Sequence, residues 1–224
     1  MKVAIAINAL VVLLEVWAMT KGFARRGPET FIYYTALSNL FGCIACGICC
    51  VAEVRALRGG PSVPRSAKLL KYSSSCCLLM TLCVVVFVLA PAYNAAGYNG
   101  YYLMFCEREL PVTHLLGPLL VFASYVLFEA EAPMTLRQSL YGLVPTLAYA
   151  AVAYPCNIAR MWDGPYPFFL VWNMPVWQSV AWFFALCAMA AVLCQIPRLV
   201  GNWLHGKASS ESATHDSRPG EQDD

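Results

Sequence analysis

A threonine hydroxyl is a poor nucleophile near neutral pH until an adjacent base removes its proton, so a threonine and an imidazole within hydrogen-bond reach are the working parts of a nucleophilic hydrolase. The sequence offers one such pair. Thr35 stands in Thr30-Phe31-Ile32-Tyr33-Tyr34-Thr35-Ala36-Leu37-Ser38-Asn39-Leu40-Phe41, an unusually polar entry to an apolar run. His114, in Pro111-Val112-Thr113-His114-Leu115-Leu116-Gly117-Pro118, is the only histidine inside the apolar runs. Thr35 and Asn39 are four residues apart and share a helix face, with Ser38 beside them and Gly42 and Cys46 continuing the stripe. Pro118 has no N–H, so a helix through this segment loses the partner of the His114 carbonyl and bends, which opens room for a polar pocket. Each feature alone has a simpler account: the stripe as glue between helices, the histidine as a satisfied structural residue.

The elements that must position these residues follow from composition. Of 224 residues 59% are hydrophobic and 12% charged, with a mean hydropathy of +0.57, a balance that excludes a water-soluble enzyme, a disordered chain or a nucleic-acid binder. A formal net charge of +2 points to no polyanionic partner. Crossing ~30 Å of hydrocarbon takes about 20 helical residues. Six apolar runs qualify, at 3–20, 31–54, 70–92, 110–128, 138–155 and 168–196. The expected fold is an all-α six-transmembrane-helix bundle over 1–200, followed by a disordered cytoplasmic tail at 201–224. The first run reads as a membrane helix rather than a signal peptide, because Glu15 interrupts it and no clear small-x-small cleavage site precedes Lys21.

With six crossings, Lys2, Arg55, Arg58, Arg65, Lys68, Lys71, Arg137, Arg198, Lys207 and Arg218 fall on one side, and Lys21, Arg25, Arg26, Arg108 and Arg160 on the other. That excess predicts both termini in the cytoplasm, in an endomembrane or the plasma membrane. The second and fourth helices then run from the outer face inward, placing Thr35 and His114 at matching depth, about one turn below the surface. Glu15 lies near that level, most simply as a snorkelling carboxylate or an ion-pair partner of Lys21 or the first loop. The segment from Tyr154 to Phe169 reads as an aromatic cap on the same side. A hydroxyl–imidazole pair at this depth meets the ester carbonyls of acyl lipids, so ester cleavage is the natural chemistry and a membrane lipid ester the natural substrate.

At these residues the chain resembles the androgen-induced / androgen-dependent TFPI-regulating protein family and its bacterial six-transmembrane relatives. The resemblance covers most of residues 5–196. It rests on Tyr34, Thr35, Ser38 and Asn39, on His114 with Pro118, on Pro145 and Tyr149, and on Arg160, Gly164 and Tyr166-Pro167-Phe168. The Ser38-Asn39 and Tyr166-Pro167-Phe168 segments are closer to the bacterial relatives. The resemblance implies a membrane threonine hydrolase that splits fatty-acid esters of hydroxy fatty acids, with Thr35 as nucleophile and His114 as base. Ser38, Asn39, Glu15, Arg160 and Tyr166 are the supporting candidates, with Asn39 or Arg160 placed as oxyanion donor by topology alone.

The remaining polar and sulfur residues read more plainly. Cys43, Cys46, Cys49 and Cys50 step by three along a helix without histidine beside them, so small-residue packing is expected rather than a metal site, with S-acylation of Cys49 and Cys50 open. No metal and no cofactor is expected. Cys106 and Cys156 flank outer loops and form a disulfide there if that side is oxidising. Trp17, Tyr93, Tyr98, Tyr101, Tyr102, Trp162 and Tyr166 sit near span ends as interfacial anchors, and His205 and His215 read as solvated tail residues. Two rivals stay open: a small-molecule or proton-coupled transporter using Glu15 and His114, and a non-catalytic membrane scaffold whose stripe binds another helix.

Overall fold

The computed structural model describes residues 1–131, 133–162 and 166–216, the last ten as backbone only, and they are all-α, with no strand among them. Seven helices follow one another: α1 (Lys2–Arg26), α2 (Tyr34–Leu57), α3 (Arg65–Ala95), a short α4 (Gly100–Cys106), α5 (Val112–Glu129), α6 (136–158) and α7 (Val176–Asp216). Five of them, α1, α2, α3, α5 and α7, are long and apolar enough to cross a bilayer, so the chain is built as a multi-pass integral membrane protein. The fifth apolar run is not one regular helix. Thr135 caps a single α-helical turn at Leu136–Ser139, Leu140–Leu143 winds as a 3-10 turn, and α-helix resumes over Val144–Ile158, with Pro155 inside it.

α3 is the hub. It touches α2, α5, α6 and α7, and every residue from Lys71 to Thr81 is buried. α1 packs on α2 and α5 and completes a four-helix group with α3. Close approach is carried by small residues: a Cβ added at Gly42 would lie 2.8 Å from Leu78 Cδ1. The cysteines of α2 serve the same packing, with Cys43, Cys49 and Cys50 directed at the carbonyls of Val12, Ala67 and Ile5.

Two boundaries and one buried cation depart from the sequence reading. The last apolar run begins at 168, yet its helix begins at Val176, because Pro167 and Pro175 withhold backbone donors and 3-10 turns at Pro167–Phe169 and Val171–Asn173 precede it. α7 then continues past 201, where the tail was expected, and its first residues beyond that point are engaged: Asn202 bonds Met134 N–H and C=O at 2.8 and 2.9 Å, and His205 Nε2 lies 2.9 Å from Val126 O. Residues 217–224 lie outside the described residues. Lys71, counted as a loop cation, is fully buried: its Nζ bonds Asn8 Oδ1 and meets Glu129 Oε1 at 3.2 Å and Oε2 at 3.0 Å. Asn8 Nδ2 reaches Glu53 at 3.1 Å and Glu129 at 2.7 Å, and Ser124 closes the group, so one polar cluster ties α1, α2, α3 and α5 together.

Candidate active site

Tyr33 is extended and caps α2, which makes Thr35 the second residue of the helix. The first four N–H groups of a helix have no partner within it. Thr35 N–H finds one outside, donating to Tyr166 Oη at 3.1 Å, while Thr35 Oγ1 lies 3.2 Å from the same oxygen. With an amide arriving on one lone pair, the phenol keeps its own proton to give to Oγ1 or to another oxygen beside it. Burial pushes the Tyr166 phenol above its ordinary value, so it remains a donor. The ring is held edge-on to Tyr33 at 6.1 Å and stacked on Phe168 at 5.2 Å. It is 6% exposed, a core residue rather than an interfacial anchor.

His114 is the third residue of α5, in a π turn at Val112–Leu116 closed by Gly117 N–H on Val112 O. This is the break expected ahead of Pro118: the ladder shifts from four to five residues where the proline has no donor. The buried imidazole places Nδ1 2.9 Å from Met104 O, contributed by α4. A carbonyl only accepts, so Nδ1 carries the hydrogen and Nε2 is left as the basic nitrogen.

Thr35 and His114 line one cleft of about 340 Å³, together with Tyr33, Asn39, Thr113 and Tyr166. Arg25, ion-paired with Glu109, and Arg26, 4.7 Å over the Tyr33 ring, line it as well. Thr35 and Tyr166 also line a second, apolar cavity of about 60 Å³ walled by Val84, Tyr149, Phe168, Phe169 and Leu186. Thr35 therefore stands between the two spaces, the larger of which also carries charged and polar side chains. No hydrogen bond joins Thr35 to His114; the bonded partner of the threonine is Tyr166. Compared with known proteins, the chain matches no family model, and no curated protein and no solved structure matches it.

The other candidates separate on geometry. Asn39 Nδ2 spends both hydrogens on the carbonyls of Thr35 at 2.7 Å and Thr113 at 3.0 Å, which leaves none for an oxyanion. Ser38 bonds Thr81 Oγ1 at 2.8 Å and Thr35 O at 3.0 Å and so fastens α2 to α3. Arg160 lines a different cavity and stacks over Trp172 at 4.3 Å, so it is not an oxyanion donor for Thr35. Glu15 is fully buried and neither snorkels nor pairs with Lys21; both its oxygens lack a partner. Cys106 and Cys156 are free thiols, the first exposed. Gly164 lies outside the described residues. Tyr149 donates to Ile32 O at 2.8 Å and Tyr34 bonds Thr146 at 2.7 Å, which docks α6 on the start of α2. The sequence reading missed the Met104 carbonyl that orients His114 and the buried Lys71 cluster; Asn8, Glu53 and Glu129, polar residues within or at the ends of apolar runs, were the available signal for the latter.

Proposed function

We propose that the chain is an integral-membrane threonine hydrolase of lipid acyl esters, such as fatty-acid esters of hydroxy fatty acids, as its resemblance to the androgen-induced protein family suggests. The observation that carries the reading is the position of Thr35: the residue lines both the cleft that holds a correctly tautomerised His114 and an apolar cavity suited to the end of an acyl chain. In the reaction Thr35 Oγ1 attacks the ester carbonyl carbon while its proton passes to His114 Nε2 as substrate closes the cleft. Tyr166 gives its hydrogen bond to the carbonyl oxygen as negative charge develops there. The tetrahedral species expels the alcohol, which takes the proton from His114 and leaves an acyl-threonine. Water then attacks that ester, His114 accepts its proton, and the fatty acid departs with Thr35 restored.

The same proposal counts α6 as a sixth crossing. With five the two termini face opposite compartments, whereas six returns both to the cytoplasm, in agreement with the distribution of basic residues, in an endomembrane or the plasma membrane. Its 23 residues from 136 to 158 are long enough to span about 30 Å even with the 3-10 turn. The deciding experiment assays a panel of lipid esters and labelling by a hydroxyl-directed fluorophosphonate. Thr35→Ala and His114→Ala lose both, Ser38→Ala keeps both, and equal labelling of all three variants refutes the assignment.

A further inference from the structure

Glu15 is the one buried charged side chain among the described residues whose two oxygens both lack a hydrogen bond, and Asn39 Oδ1 is a third orphan acceptor on the facing helix. The two groups converge on one spot. A Cβ built on Gly117 of α5 would collide with Glu15 Oε1 and lie 3.3 Å from Asn39 Oδ1. Rotating the Asn39 amide does not resolve the conflict, because it would replace two good bonds, to the carbonyls of Thr35 and Thr113, with two acceptor–acceptor contacts. Asn39 must therefore present its oxygen here, and a donor is missing between two acceptors.

The charged groups around Glu15 do not supply one. On α2 the nearby titratable group is the Cys43 thiol; on α5 it meets Gly117, with His114 a turn away and bound through Nδ1 to Met104 O. The cations of its own helix, Lys21, Arg25 and Arg26, make no ion pair with it. A bare carboxylate in this position would be buried in the hydrocarbon layer without compensation.

We infer that Glu15 is a neutral carboxylic acid that donates its proton to Asn39 Oδ1 and thereby acts as the positioning residue of the site. The chain of bonds is continuous: Glu15 fixes the amide plane of Asn39, and Asn39 holds the backbone of Thr35 on α2 and of Thr113, next to His114, on α5. The carboxyl sets the separation of nucleophile and base without touching substrate. This catalytic part rests on the hydrolase reading; the protonation state and its hydrogen bond do not.

The test is therefore spectroscopic first. Infrared difference spectra between the purified wild type and Glu15→Gln at neutral pH should contain a carboxylic-acid C=O band that shifts in D2O and on Asn39→Leu. Carboxylate bands alone, or carboxylate bands that respond to sodium against choline, overturn the inference, the latter in favour of a cation between the two oxygens. In ester hydrolysis Glu15→Gln, which keeps a donor in place, should retain kcat, whereas Glu15→Leu should lose about 10–100-fold in kcat with KM and the pH profile unchanged. Equal kcat in the two variants removes the positioning role. If the acid band is present while the wild type cleaves no lipid ester, the protonated carboxyl stands and the hydrolase reading alone has failed.

Discussion

Replacing Tyr166 with phenylalanine deletes one oxygen and leaves the packing of the ring intact, because the edge contact with Tyr33 and the stack on Phe168 involve carbon faces that phenylalanine shares. Two consequences separate. In the resting protein the Thr35 N–H loses its acceptor at 3.1 Å, and a buried donor left unsatisfied costs about 1–3 kcal/mol. That loss is local to the first turn of α2, where water entering the cleft can recover part of it. In the transition state the phenol is the donor to the carbonyl oxygen, and deletion of one such donor costs about 10²–10³ in kcat, or roughly 2.7–4 kcal/mol of barrier. The assay is steady-state hydrolysis of a lipid ester in detergent micelles, with denaturant unfolding run in parallel. Tyr166→Phe should lower kcat by about that factor with KM nearly unchanged, since the hydroxyl contributes to the transition state more than to ground-state binding. Because burial pushes the phenol above its ordinary value, the wild type should show no loss of activity from its ionisation as pH rises to about 10. If kcat is unchanged and only stability falls, the hydroxyl is a helix-end acceptor and the oxyanion role is refuted.

Three further outcomes follow from single features. Lys71→Met strands Glu129 and Asn8 without their cation and should destabilise the fold by about 3–5 kcal/mol, while Lys71→Met combined with Glu129→Gln should recover most of it in equilibrium unfolding. Gly117→Ala forces a methyl group against Glu15, 3.0 Å from Val112 O and 3.3 Å from Asn39 Oδ1, and should cost about 1–3 kcal/mol, whereas Gly47→Ala, with its nearest neighbour at 3.9 Å, should be tolerated; equal effects of the two count against the tight α1–α5 contact. Cys106, a free and exposed thiol at the end of α4, should react with a membrane-impermeant maleimide from the face opposite the termini, and labelling from the cytoplasmic face instead would invert the proposed topology.

What could be read in advance divides along the range of the interactions. The stripe of Thr35, Ser38 and Asn39 and the break before Pro118 are local, and the structure brings Thr35 and His114 to one cleft. The contact of Tyr166 with Thr35 spans 131 residues of sequence, and no periodicity encodes it. Hydropathy could not start the last helix correctly, because Phe168 and Phe169 are buried for core packing outside any long helix. Charge counting misplaced Lys71 for a related reason. A lysine beside a basic loop looks solvated, and only its three partners on two other helices, Asn8, Ser124 and Glu129, make its burial tolerable. Glu15 was misjudged in the opposite sense, with a cation expected where there is none.

The two polar layers of the bundle are complementary in design. At the end that holds Asn8, Glu53, Lys71, Ser124 and Glu129, donors and acceptors meet across four helices and almost every group is used, which fixes the register of α1, α2, α3 and α5. At the end that holds Glu15, Asn39, Thr35 and His114, α5 opens on a π turn, the oxygens of Glu15 and Asn39 have no donor other than the Glu15 proton itself, and α1, α2, α3 and α5 line a cleft. Unsatisfied groups cost stability wherever they lie, so a bundle can hold them open at one end only if its helices are pinned elsewhere. The saturated cluster supplies that pin. A nucleophile and a base on separate helices keep their spacing because those helices are locked one to another roughly 10 Å deeper, the rise of the seven residues between Asn8 and Glu15 on α1.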